Sequence, residues 1–327
     1  MRQQAQLLLL DHDAIAGLLH ADLALDAVTT AFALQAGQQG RIFPVVREAL
    51  ATGGVFGIKS GDVASRDLLG FKAAGFWPAN RELGGEPHQA TVMLFDPATG
   101  RPRAILDGNA ITTARTAAAG ELGLRTLARQ DSQSVCIFGT GVQASAQLAA
   151  ALRALSSLRA AYYVSRSGRP DNSFEARFAA LGMTHCTLHH AADADAAVAA
   201  SDVVITATPA RGPLFSAGAV KPGTHINCVG ADTRGKRELP DGVLQQAQVI
   251  VDDLAQASTL GEMQWAPGMA CVQLGDLLIG NADYMRKPED ISVFDMTGLA
   301  LQDLVLGEAL YKAARLAGAG LSIPWPW

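Results

Sequence analysis

Four cations stand in apolar or glycine-rich surroundings near the start of the chain: Arg47 in FPVVREAL, Lys59 in FGIKSG, Lys72 in GFKAAGFWPAN and Arg115 in ITTARTAAAG. Singly, each reads as a surface charge whose aliphatic stem covers apolar neighbours. Together they read as a pocket for carboxylates, because arginine offers a bidentate fork and lysine a point charge. Lys72 is the sharpest of the four. An ammonium in a run of aromatic and small residues needs an anion, a partner or a lost proton, and the anion expected here is the substrate itself. Gly70 and Gly75 read as points of close approach between backbone and ligand, with Phe76 and Trp77 as walls.

A second set of residues suits a nucleotide. Gly139-Thr140-Gly141-Val142-Gln143-Ala144 follows the apolar run Ser134–Phe138 and opens a helical pattern. This strand–turn–helix context is what a dinucleotide fingerprint requires: a glycine for the turn, a glycine for approach to the pyrophosphate, and a small residue for helix–sheet packing. The next strand ends in Ser165-Arg166-Ser167, with no acid for a ribose 2′-hydroxyl. A cation between two hydroxyls is the chemistry of a 2′-phosphate site, so the cofactor is read as NADP(H) or NAD(H), with a lean to NADP(H). Asp232, in NCVGADTRGKREL, ends an apolar strand at a carboxyl edge, as a ligand contact or a turn aspartate. His88 precedes a strand and is either a cofactor or substrate contact or a plain strand-entry histidine. His185, His189 and His190 lack metal spacing, and no metal is expected.

Two textures must position these residues. Residues 11–36 carry apolar positions at helical spacing, and residues 41–106 break into short strands separated by Gly, Pro and Asp, with a hairpin signal at Asp96–Gly100. This first region reads as a mostly antiparallel α+β module. A helix is expected over 111–129, capped by Thr112 or Thr113. Strands are then expected at 134–138, 160–165, 202–208, 223–231 and 248–253, alternating with helices in a doubly wound parallel sheet. After residue 290 a strand, a turn and a long amphipathic helix follow, and that helix can return to the first module. The fold class is therefore α/β: a Rossmann-type sheet domain plus a discontinuous α+β domain.

The 327 residues suit two domains. The net charge of −5 and the absence of a basic tract disfavour nucleic acid. The four cysteines are widely spaced, which reads as a reducing compartment, and the opening leucine run is too short for a signal peptide or membrane span. The expected address is the cytoplasm.

From Arg47 through Thr297 the chain resembles the ornithine cyclodeaminase/μ-crystallin family. The matching stretches are HQATVMLFDPATGRPRAILDGNAITTARTAAA, GTGVQASAQL, KPGTHINCVGADTRGKREL and VFDMTGLALQD. The resemblance implies a homodimer. It also implies a substrate and dimerisation domain formed by residues 1–115 and 300–327, and a Rossmann domain over 116–299. It implies that Arg47, Lys72 and Arg115 bind the substrate carboxylate and that Asp232 handles the amino or imino nitrogen. Cofactor contacts are implied at His88, Arg115, Gly139, Thr140, Gly141, Val142, Gln143, Ser165, Arg166, Ser167, Thr206, Thr208, Val229 and Thr297. Cyclodeaminases place a glutamate where this chain reads Val55-Phe56-Gly57-Ile58-Lys59. Loss of that acid and gain of Lys59 point away from a diamine and toward an additional negative group. FPVVRE, GIKSG and GFKAAGFWPAN are most similar to the branch that reduces iminosuccinate to aspartate, a branch associated with NADH. The implied activity is NAD(P)H-dependent reduction of a small anionic imino acid to an L-amino acid, with Lys72 either holding a carboxylate or acting on the imine. Cyclic ketimine reduction, cyclodeaminase-type ammonia loss and non-enzymatic binding of the μ-crystallin kind are the alternatives.

Overall fold

The computed structural model describes residues 5–326. The chain divides into two compact units, one formed by Met1–Arg115 with Leu299–Trp327 and the other by Thr116–Gly298.

The first unit is built on an eight-stranded sheet. Its elements are β1 (Ala5–Leu10), α1 (His12–Ala16), α2 (Ala21–Ala36), β2 (Arg41–Ile42), β3 (Val46–Ala49), β4 (Val55–Val63), β5 (Leu68–Phe76), β6 (His88–Phe95) and β7 (Pro102–Asp107). Pairing is antiparallel except between β1 and β7. The β6–β7 turn is closed by the Asp96 and Gly100 backbone amides and by Gly100 at φ +71°, the hairpin read from the sequence. Helix α3 (Gly108–Leu127) follows β7. It starts earlier than expected: the Asp107 carboxylate accepts the Asn109 amide at 2.8 Å, and Thr112 and Thr113 lie inside the helix rather than capping it.

Directly opposed residues on neighbouring strands share a face. Leu10, Leu106, Val92, Lys72 and Lys59 form one such row across the sheet. This face is covered by the C-terminal helix α10 (Ala300–Ala317), which crosses β4, β5 and β6 and packs against α2. Gly70 serves that packing, not a ligand: a Cβ there would meet Leu304 at 2.8 Å and the Met93 carbonyl at 2.5 Å. Gly75 seats Trp77, whose ring would lie 2.6 Å from an added Cβ. Both glycines are thus explained by intramolecular contact, against the expectation of a ligand. The other face carries half-buried Ile58, Phe71, Met93, Phe95 and Ile105. The last strand, β16 (Leu321–Trp325), pairs with β1.

The second unit holds a fully parallel sheet. Its elements are β8 (Ser134–Phe138), α4 (Val142–Ala154), β9 (Ala160–Val164), α5 (Asn172–Ala179), β10 (Thr187–His190), α6 (Ala194–Ala200), β11 (Val203–Thr206), β12 (His225–Cys228), α7 (Val243–Gln246), β13 (Ala247–Val251), α8 (Leu254–Leu260), β14 (Val272–Gln273), α9 (Leu274–Leu278) and β15 (Ile291–Asp295). The strand order is β10-β9-β8-β11-β12-β15-β13-β14. The chain reverses its winding between β8 and β11, the switch point where open α/β sheets bind ligands. The buried runs VCIF and VVI make two central strands apolar on both faces, as a sheet covered on both sides requires. Strands β12 and β15 also bury His225, Asn227, Ser292 and Asp295, with His225 bonded to Ser292 at 2.8 Å and to Asn227 at 2.9 Å.

Candidate active site

In the first unit the strand register places Lys59 directly opposite Lys72. Arg47 opposes Gly57 on the same face, one row away. Gly57 keeps that strip of sheet bare, since a Cβ there would stand 2.8 Å from the Val46 carbonyl and 3.6 Å from Arg47 Nε. Arg115 reaches the cluster from the second turn of α3. The sequence reading grouped these four cations without their anion. Asp303, in the first turn of α10, supplies it. Its Oδ1 accepts from Lys72 Nζ at 2.9 Å and from Arg115 Nε at 3.2 Å, and its Oδ2 lies 2.8 Å from Lys72 Nζ. Thr112 Oγ1 accepts from Lys72 at 3.3 Å, and Gln302 Oε1 accepts from Arg115 Nη1 at 3.3 Å. The expectation that the substrate alone balances Lys72 is therefore corrected. A protein carboxylate does so, on a residue 231 positions away.

The electrostatics follow from burial. The Lys72 side chain is 5% exposed and that of Asp303 1%. Burial pulls the Lys72 ammonium down from its ordinary 10.5 to about 7, opposed by the Asp303 charge and reinforced by Arg115 and Lys59. Burial alone would raise the Asp303 carboxyl, but Lys72, Arg115 and Lys59 together hold it below the usual carboxylate range. The N-terminal dipole of α10 acts in the same direction. His88, at the start of β6, shares this face, and its Nδ1 lies 3.0 Å from Asn109 Oδ1.

In the second unit the nucleotide residues gather at the carboxyl edge of the sheet. Gly139 adopts φ +102°, and a Cβ there would stand 2.7 Å from the Ala207 carbonyl. Gly141 caps α4, and a Cβ there would meet no protein atom within 4 Å. Its lack of a side chain is thus not demanded by the fold, which fits a position kept bare for a pyrophosphate at a helix N-terminus. Thr140, Val142 and Gln143 complete the turn, and Ala144 is fully buried against the sheet. The turn after β9 exposes Arg166, Ser167 and Arg169, while buried Ser165 donates to the Arg169 carbonyl at 2.6 Å. Arg169 is a second cation that the sequence reading passed over.

Thr206 is the last residue of β11, and Val229 and Thr297 follow the ends of β12 and β15. The Thr297 hydroxyl donates to Asp252 at 2.8 Å. Glu238, buried, accepts from the Thr208 amide and hydroxyl at 2.8 and 2.6 Å and from the Gly230 amide at 2.9 Å, so one carboxylate ties two strand-end loops together. Asp232 is half-exposed and accepts from Lys236 Nζ at 2.7 Å. Among the described residues, no group of three or more His, Cys, Asp or Glu side chains is placed to hold a metal ion.

The ornithine cyclodeaminase/mu-crystallin family profile matches residues 6–317. The chain belongs to this family. It is 33% identical to the iminosuccinate reductase of Paracoccus denitrificans over 320 residues, which cover 94% of this chain and 97% of that one. The crystal structure of that reductase in complex with NAD+ superposes with a TM-score of 0.87 at 32% identity, covering 98% of this chain and all of the other. An archaeal alanine dehydrogenase dimer with bound NAD gives 0.89 at 30% identity, with 98% and 100% coverage. The Δ1-pyrroline-2-carboxylate reductase of Thermococcus litoralis, in complex with NADH and L-proline, gives 0.89 at 26% identity, with 97% and 100% coverage.

Within this family member, Lys72 and Arg115 converge on one carboxylate, Lys59 stands opposite Lys72, and Arg47 lies a row away on the same sheet face. Asp232 and the nucleotide residues belong to the second unit. Asp303 and Glu238 escaped the sequence reading. The signal for Asp303 was an acid set into the apolar helical run LALQDLVLG, whose neighbours Leu301, Leu304 and Val305 are buried.

Proposed function

We propose that this chain is an NAD(P)H-dependent imine reductase whose substrate is a dicarboxylic α-imino acid: iminosuccinate is reduced to aspartate while NAD(P)H becomes NAD(P)+ and one proton is taken up. The observation that carries the substrate choice is the Lys59–Lys72 cross-strand pair. Lys59 and Lys72 stand side by side on neighbouring strands, Arg47 lies a row away on the same sheet face, and Arg115 reaches Lys72 through their shared partner Asp303. Four cations gathered from β3, β4, β5 and α3 suit a ligand with two negative groups. The similarity to the Paracoccus reductase supports the same choice.

Arg47 and Arg115 bind the α-carboxylate, and Lys59 takes the second one. Lys72, poised to exchange a proton near neutrality, donates to the imine nitrogen or holds a carboxylate in place. Asp232 accepts a hydrogen bond from the iminium. The nucleotide is held by Gly139–Gln143 and the strand-end residues Thr206, Thr208, Val229 and Thr297, and its reduced nicotinamide supplies hydride. Arg166 and Arg169, exposed on the loop after β9, support NADPH over NADH. The half-buried apolar sheet face of the first unit, together with the dimeric archaeal relative, supports a homodimer.

The test is spectrophotometric. Oxidation of NADH and of NADPH is followed with oxaloacetate plus ammonia, with pyruvate or glyoxylate plus amines, and with pyrroline- and piperideine-2-carboxylate. Oxaloacetate plus ammonia is expected to give the highest kcat/KM. Activity confined to the cyclic imines would overturn the dicarboxylate assignment, and ammonia release from ornithine would return the chain to the cyclodeaminase reaction.

A further inference from the structure

The Lys72–Asp303–Arg115 cluster holds a carboxylate to which the reaction assigns no task. Asp303 does not lie among the residues proposed to bind imino acid or nucleotide. It is buried, yet it is charged, and both of its oxygens lie against cations from two other elements of the first unit. A buried carboxylate held only for packing would be replaceable by an apolar residue of similar volume. Here its removal leaves two desolvated cations facing each other, with Lys59 directly opposite one of them.

We infer that Asp303 is a positioning residue that keeps the Lys72 ammonium charged and fixed beside Arg115, so that the pair presents one ordered cationic surface to an anionic substrate. The geometry supplies three supports. Asp303 Oδ1 accepts from both Lys72 Nζ at 2.9 Å and Arg115 Nε at 3.2 Å, so one oxygen ties the two cations together, with Oδ2 a further 2.8 Å ion-pair contact to Lys72. Thr112 Oγ1 accepts a further hydrogen bond from the ammonium, so the lysine head is ordered by two elements. Gln302, the residue before Asp303, accepts both the Leu299 amide at 3.2 Å and an Arg115 N–H at 3.3 Å. The start of α10 and the arginine are thereby held by one side chain.

The charged groups around the cluster are few. β5 contributes Lys72, β4 Lys59, α3 Arg115 and α10 Asp303. On the same sheet face β3 adds Arg47 and β6 adds His88. The next charges along α10 are Glu308, paired with Arg66 at 2.7 Å and with Lys312 at 2.5 Å. The acids of α2, Asp22 and Asp26, lie in its first two turns. Asp303 is thus the carboxylate that faces Lys72. Without it, burial and the neighbouring cations act unopposed, and Lys72 loses its proton at lower pH.

The kinetic arm of the test rests on the imino-acid reading; a second arm does not. The chain has six lysines, so labelling with [ε-13C]lysine and assignment through Lys72→Met allow the titration of Lys72 to be followed by NMR in the whole protein. In Asp303→Asn its midpoint is expected to fall by about one pH unit or more, and the alkaline limb of kcat/KM for oxaloacetate plus ammonia to move with it. At pH 7.5 this corresponds to a loss of about tenfold or more, with the Kd for NADH unchanged within about twofold. Asp303→Glu, which keeps the charge, is expected to hold the midpoint near that of the native protein even where the longer side chain lowers kcat. A folded Asp303→Asn protein with an unmoved midpoint would overturn the proposal. If that variant does not fold, Asp303→Glu decides: a midpoint displaced by about a unit despite the retained charge would overturn it equally. If no imino acid is turned over, the assignment of function fails while the NMR titration still decides the role of Asp303.

Discussion

At the scale of single residues, the cation set was legible because each member interrupts an apolar context. The register of β4 and β5 turns that grouping into geometry by setting Lys59 opposite Lys72. What one local stretch could not reveal was the anion. Asp303 lies in a helix near the end of the chain, and local reading has no term for a pairing that spans 231 positions. The position of Lys59 leads to a prediction about substrate size. Lys59→Met is expected to raise KM for a dicarboxylic imino acid by about tenfold or more, the worth of one charge-assisted hydrogen bond. KM for a monocarboxylic cyclic imine should change little. Equal losses on both substrates, measured by initial rates, would show that Lys59 does not read the second carboxylate.

At the scale of elements, the strand–turn–helix at 134–154 was readable because its determinants are contiguous: an apolar run, two glycines and a small residue. The start of α3 was not, because Asp107 at the end of β7 caps the helix five residues before Thr112, the first of the threonines that invite that reading. The two fingerprint glycines make distinguishable demands. Gly139→Ala places an L side chain at φ +102° and a Cβ 2.7 Å from the Ala207 carbonyl, so it is expected to lower Tm by several degrees. Gly141→Ala meets no protein atom. It is expected to leave Tm unchanged while weakening NAD(P)H binding by about tenfold or more, since the added methyl occupies the approach to the pyrophosphate. Thermal melts and nucleotide titrations of the two variants separate a glycine kept for the fold from one kept for the ligand.

At the scale of the whole molecule, the second unit carries a buried acidic cluster of Glu238, Glu262 and Asp295. Glu262 Oε1 accepts the Glu238 amide at 2.6 Å, and Asp295 Oδ2 accepts the Met263 amide at 2.9 Å. Burial, reinforced by the neighbouring carboxylates, lifts Glu262 to about 8 and Asp295 to about 7. Both folded values lie above the unfolded ones, so the native state binds more protons between them. Stability is then full below about pH 4 for these groups and is lost as pH rises toward 8. Melting curves across that range are expected to show Tm falling with pH, and Asp295→Asn is expected to flatten the slope. An unchanged slope would mean that Asp295 is already ionised in the native protein.

The discontinuous make-up of the first unit also bears on how the protein is made. A ribosome delivers β1 through β7 first, then the entire second unit, and only afterwards α10. Until that helix emerges, Leu106, Val92 and Lys72 lie on a sheet face without its cover, and the lysine has no carboxylate beside it. Domains generally fold as units during synthesis, so the cation cluster is completed only after the whole nucleotide unit has been made, with β16 alone still to follow. A chain that terminates before residue 300 can contain every residue of the nucleotide fingerprint and still lack an ordered place for the acid it is meant to reduce.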